Sequence, residues 1–227
     1  MSSSKGGIVM NLRTLSGSVL RHTPAWSLIQ HMEAWRTVRT WERAAKPNPP
    51  PHAVKRRIVS DYAVSYGTNT LIETGTYLGD MIYAMKKKFQ VIYSIELSDA
   101  LAHKASRRFR ANHHIHILAG DSGKVLPQIL TDISNPCLFW LDGHYSGGIT
   151  AKGETESPVI EEVMTILGHR VKKHVLLIDD ARCFDGTKGY PALNTLRELV
   201  ERWGQGYGLS VADDVIRIVP EAGGGQS

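Results

Sequence analysis

Two short runs, residues 137–142 (CLFWLD) and 174–179 (HVLLID), are almost continuously apolar and each ends in an acid; they constrain the fold more than any other feature. A strand that is wet on one face alternates polar and apolar residues. One that is apolar throughout is buried on both faces, as the central strands of a parallel sheet are. Similar runs recur at 70–73, 91–96 and 114–118. The spacing predicts helices over 53–66, 80–88, 98–112, 123–131, 158–169 and 191–203. Strand alternating with helix predicts a parallel sheet covered by helices on both faces. The last two runs, 209–212 and 215–219, leave no room for a helix between them and predict an antiparallel hairpin at the sheet edge. The expectation is an α/β fold with a seven-stranded, mostly parallel sheet and a C-terminal antiparallel hairpin.

The region ahead of that pattern has a different character, so the chain is expected to divide into an extension, 1–51, and a domain, 52–227. Residues 1–23 are rich in Ser and Gly and predict little order. Thr23 suits a helix cap and Pro24 the first helical position. Ile29, Met32, Trp35 and Val38 then recur at the spacing of one helical face, and the proline-rich segment 46–51 ends the helix. The result is an N-terminal amphipathic helix flanked by arginines. It suits packing on its own domain, on another subunit of a homo-oligomer, or on a membrane surface. Of the net charge of +5, much sits between Lys5 and Arg57, where the acids are Glu33 and Glu42. Such a skew fits a solvated basic extension or contact with an anionic partner. No apolar run approaches the roughly 18 residues of a membrane span. The N-terminus does not read as a secretory signal, and Cys137 and Cys183 suit reduced thiols, so a cytoplasmic location is expected.

The ends of the strands carry the chemistry. In residues 71–80 (LIETGTYLGD) a strand ends in Glu73, Gly75 makes the turn, Tyr77 lies in the loop and Gly79 opens a helix. Gly75 adopts backbone angles closed to other residues and lets the chain pass close beneath a ligand. Free N–H groups at a helix start favour an anionic group there. The spacing is not that of a G-x-G-x-x-G dinucleotide loop, which disfavours a nicotinamide oxidoreductase. Glu73 suits a cationic amino group such as that of the methionyl part of S-adenosylmethionine. About 20 residues beyond the loop, Glu96 ends the second run, where Rossmann-like folds hold ribose hydroxyls. After the third run, Asp121 or its neighbour suits the adenine amino group, with Ser122 as a helix cap.

The fourth run ends in Asp142, with His144 two residues on, and the fifth in Asp179 and Asp180. Parallel strands share one carboxyl edge, so these three carboxylates converge there, with Asp142 also facing the cofactor. Converging carboxylates repel unless protonated or met by a cation, and an all-oxygen set suits a hard divalent ion. The plainer reading is that one of them caps a helix or pairs with Arg182.

These motifs, from Thr70 to Arg182, resemble the macrocin-type sugar O-methyltransferases, a branch of the class I S-adenosylmethionine-dependent methyltransferases. The resemblance implies S-adenosylmethionine as methyl donor and magnesium held by Asp142, Asp179 and Asp180. The family has D-G-D after the fourth strand, and this chain has D-G-H. His144 therefore stands where the family's base stands, and a neutral imidazole is a competent base near pH 7. The polar, glycine-rich segment 145–156 is expected to cover the acceptor as a lid, and 185–191 to add contacts. The expected reaction is methylation of a hydroxyl oxygen on a sugar or other small molecule. The competing readings are a nucleoside-binding scaffold without catalysis and a nucleic-acid methyltransferase. The latter ranks lower because its base-methylating signature is absent.

Overall fold

The computed structural model describes residues 24–142 and 158–221. The chain divides into two units, 1–45 and 46–227. The first contains helix α1 (Pro24–Arg43), on which Ile29, Met32 and Trp35 are exposed and the Arg39 guanidinium lies 4.6 Å from the Trp35 ring centroid. Thr23, expected as its cap, lies outside the described residues. No helix among the described residues is long and apolar enough to cross a membrane.

The second unit is a seven-stranded sheet in the order β3-β2-β1-β4-β5-β7-β6. Its strands are β1 (Thr70–Thr74), β2 (Val91–Glu96), β3 (Ile115–Ala119), β4 (Leu138–Leu141), β5 (Val175–Ile178), β6 (Tyr207–Ala212) and β7 (Val215–Pro220). The first five pair in parallel; β7 runs antiparallel to both β5 and β6. Helices α2 (His52–Tyr66), α3 (Asp80–Met85), α4 (Asp99–Phe109), α5 (Ser122–Thr131), α6 (Val159–Gly168) and α7 (Leu193–Trp203) cover its two faces.

The apolar runs form the centre as their composition requires. Every residue of β4 and β5 is buried, and Phe139, Trp140, Leu176 and Ile178 are at most 1% exposed. Each such side chain removed from water contributes about 1.5–3 kcal/mol. The β6–β7 hairpin turns on Asp213 and Asp214, both with positive φ (50° and 60°). That pair of left-handed residues is the two-residue turn whose twist matches antiparallel strands.

The strand order sets the position of a site. From β1 the chain builds outward through β2 and β3, then returns to the other side of β1 for β4 and β5. The connections leaving β1 and β4 therefore diverge, and this topology places a crevice at their carboxyl ends. In open α/β sheets, ligands bind at this switch point.

Candidate functional site

The loop leaving β1 forms one wall. Gly75 (φ 86°) turns the chain, and its N–H donates to the Ile95 carbonyl at 2.9 Å, joining the loop to β2. Tyr77 follows with φ 48°, an unfavourable angle for a side-chain-bearing residue and a frequent mark of functional sites. This angle aims its backbone N–H at Oε2 of Glu96, at 2.7 Å, while Oε1 of Glu96 accepts from the N–H of Ser98 at 2.9 Å. Gly79 (φ 76°) opens α3; a Cβ there would lie 2.7 Å from the Phe109 ring, so only glycine fits without displacement. The Arg108 side chain braces the turn from outside, donating to the Leu78 carbonyl and to Asp80.

Behind the loop lies Glu73, 2% exposed, which accepts from the Ser94 hydroxyl at 2.5 Å; Ser94 in turn lies 2.6 Å from the Thr76 hydroxyl. Burial pushes the Glu73 carboxyl up to about 8; the Ser94 hydrogen bond opposes this and the Glu96 charge adds to it. A positive group entering the crevice would restore its ionisation. Ser94 carries no sequence motif; its place two residues before Glu96, on the same face of β2, is the signal that finds it.

At the end of β3 the structure corrects one detail. Asp121, not Ser122, caps α5: its backbone is extended and its carboxylate accepts from the N–H of Gly123 at 2.9 Å. Ser122 is already helical and buried, beside Glu162 on α6. Glu162 is 1% exposed, and its carboxyl lies against the buried Ser122 and Thr74 hydroxyls. Burial pushes Glu162 up to about 7, while the nearby Ser122 and Thr74 hydroxyls pull the other way. Nothing in the sequence around Glu162 sets it apart from an exposed helix acid.

The opposite wall is acidic. Asp142 follows β4, and its N–H donates to the Thr74 carbonyl at 3.0 Å; Asp179 follows β5, and its N–H donates to the Leu141 carbonyl at 3.0 Å. One ligand oxygen from each of Asp142, Asp179 and Asp180 lies within 4.8 Å of the others. Burial, followed by the charge of Asp179, raises the Asp142 carboxyl well above the usual range. Burial, followed by the charge of Asp180, raises Asp179. Asp180 goes the other way: burial alone would raise it, but Lys55 and Arg182 together hold it below its ordinary value. An all-oxygen set of three crowded carboxylates fits a divalent ion of the magnesium or manganese kind.

Lys55, on α2, is the residue that the sequence motifs do not contain. Its ammonium donates to Oδ2 of Asp179 and lies 3.4 Å from Oδ1 of Asp180. The hairpin turn supports the same wall. Arg182 bridges Asp180, at 2.9 Å, and the buried Asp214, which also accepts from the Arg182 backbone N–H at 2.8 Å. Asp180 (φ 57°) and Tyr77 thus hold left-handed backbone on the two walls. In segment 185–191, the Asp185 carboxylate accepts from the N–H and hydroxyl of Thr187, a local turn. Tyr190 lies where burial, Cys183, Asp180 and Asp142 all raise its hydroxyl pKa. His144 and the expected lid, 145–156, lie outside the described residues.

No family model matches the sequence, and no curated protein matches it. Solved structures do match its fold. The O-methyltransferase TomG from Streptomyces achromogenes, involved in tomaymycin synthesis and solved with S-adenosylmethionine, shares 13% identity at a TM-score of 0.55, covering 84% of this chain and 89% of that one. An O-methyltransferase from Bacillus cereus bound to S-adenosylhomocysteine shares 13% identity at a TM-score of 0.54, covering 82% and 90%. The Podospora anserina methyltransferase PaMTH1, also bound to S-adenosylhomocysteine, shares 15% identity at a TM-score of 0.52, covering 90% and 99%. The chain shares the fold of these methyltransferases. Its seven strands, with the antiparallel hairpin closing one edge, account for the position of the crevice. At these identities the likeness concerns the fold alone.

Proposed function

We propose that this chain transfers a methyl group from S-adenosylmethionine to a hydroxyl oxygen of a small molecule, a sugar or another hydroxylated acceptor, assisted by a divalent metal. The observation that carries this reading is the meeting of two unlike walls at one crevice. One wall is a left-handed loop tied to Glu96, and the other is the Asp142–Asp179–Asp180 cluster.

The loop wall suits the donor. Glu96 uses one lone pair on each oxygen for the Tyr77 and Ser98 N–H groups and keeps others for ribose hydroxyls. Glu73 lies within the same wall, where the donor's amino group would supply the countercharge its burial lacks. Asp121 stands at the end of β3 for the adenine side, keeping acceptor capacity beyond its capping bond. The donor supplies an electrophilic methyl group on sulfur.

The acidic wall suits the acceptor. When bound, a divalent ion lowers the pKa of a hydroxyl it contacts. Asp142, Asp179 and Asp180 would hold that ion, and His144, two residues beyond Asp142, would take the hydroxyl proton. The wall thereby aligns acceptor oxygen and methyl group, and alignment alone is worth several kcal/mol.

The test is incubation with isotopically labelled S-adenosylmethionine and a panel of sugars, glycosides and phenols, with magnesium or with chelator, read by mass spectrometry. The proposal expects a labelled, methylated product that chelation suppresses and that His144→Ala reduces without changing cofactor affinity. Methylation that persists undiminished in chelator removes the metal from the reaction; unchanged turnover in His144→Ala removes His144 as base.

A further inference from the structure

The residue that sets this acidic wall apart is Lys55, contributed by a helix ahead of β1 and far from every motif. Its side chain is 11% exposed, and that of Asp179, which accepts its hydrogen bond, is 1% exposed. The ammonium therefore lies among the carboxylate oxygens suited to a metal. It also shares Oδ1 of Asp180 with the Arg182 guanidinium. An ammonium and a divalent ion cannot both take the same oxygen of Asp179, because they compete for its lone pairs and repel each other.

Lys55 faces three acids: its ammonium bonds Asp179, lies 3.4 Å from Asp180 and acts on the half-buried Asp142 as well. Lysine also carries its charge on a flexible four-carbon stem and gives up a position more readily than the planar, forked arginine does. Its partial exposure leaves a route to solvent. We infer that Lys55 is a built-in cation that occupies the Asp179–Asp180 pair until a divalent ion displaces it, so that it sets the affinity of this site for metal. This rests on the metal-assisted reading above. On this account the unloaded wall is kept from repelling itself apart, and metal binds by exchange for an ammonium rather than into an open site.

Titration with Mn2+, followed by electron paramagnetic resonance of the free ion, tests it in the full-length wild-type chain, Lys55→Met and Asp142→Asn at one pH and ionic strength. Removing the competing charge should tighten Mn2+ binding in Lys55→Met by about tenfold or more, and Asp142→Asn should weaken it. Binding in Lys55→Met no tighter than wild type, with Asp142→Asn still impaired, overturns the role of Lys55 and leaves the metal reading standing. Absence of Mn2+ binding in all three proteins overturns both. A second measurement needs no variant. Wild-type protein is acetylated with an N-hydroxysuccinimide ester, with and without Mn2+, and Lys55 is followed by peptide mass spectrometry. Displacement predicts that saturating Mn2+ raises Lys55 labelling several-fold relative to the other lysines; unchanged labelling with metal bound contradicts it.

Discussion

The backbone N–H of Tyr77 donates to the Glu96 carboxylate at 2.7 Å, joining the turn after β1 to the end of β2. The bond exists because Tyr77 holds a left-handed backbone, and Glu96 therefore serves the loop before it serves any ligand. On the proposed function, loss of this carboxylate would remove a ligand contact and release the loop that walls the donor site.

On the same proposed function, Glu73 should make donor binding sensitive to pH. Its free carboxyl, raised to about 8 chiefly by burial, is mostly protonated at pH 7. A bound ammonium group lowers that pKa, so the complex holds fewer protons than the free protein, and binding tightens as pH rises from 6 towards 8. Titration with S-adenosylhomocysteine at pH 7, in buffers of different ionisation enthalpy, should show release of up to one proton. Glu73→Gln should abolish the release; an unaltered proton count in that variant assigns the proton elsewhere.

The far end of the sheet carries a different linkage. The Cys137 N–H donates to Nδ1 of His174 at 3.0 Å, and Nε2 of His174 lies 2.9 Å from Nδ1 of His169. Burial, followed by the charges of His169 and Lys172, lowers His174 from 6.5 to about 4. The unfolded chain therefore binds the proton first. Stability is complete above pH 6.5 and is lost as pH falls towards 4, by up to about 3 kcal/mol. Urea unfolding at pH 7.5 and pH 5 measures it. In His174→Gln the pH dependence should shrink; an equal slope contradicts the assignment.

The backbone elements were legible because burial imposes period and composition together. The apolar runs of β4 and β5 could not occupy a sheet face open to water, and the last two runs were too close for a crossover. The acids at strand ends were legible for the same reason, since strand direction alone brings Asp142 and Asp179 to one edge. What the sequence concealed were partners set by tertiary packing. Lys55 meets Asp179 from 124 residues away. Asp214 supports Arg182 from a hairpin that the sequence assigned only to the edge. Ser122 looked like a cap because serine often is one; the turn instead ends one residue earlier, on Asp121.

Glu162 has the opposite pH linkage from His174. Its carboxyl rises from 4.5 to about 7, chiefly through burial, so the unfolded chain loses that proton first. Stability falls as pH rises from 4.5 through 7, by up to about 3 kcal/mol. Glu162→Gln removes the ionisation while keeping the side chain's size beside Ser122 and Thr74. It should therefore raise the urea midpoint at pH 8 and change it little at pH 5. A midpoint unchanged at pH 8 contradicts the burial account.

The most direct test of the donor site is calorimetric titration of S-adenosylhomocysteine into wild type and Glu96→Ala, with circular dichroism confirming that both are folded. The account predicts micromolar binding to wild type and a loss of about 10- to 100-fold in Glu96→Ala, the range for hydrogen bonds to a charged group. No binding to folded wild type, or equal affinity in the two proteins, contradicts it.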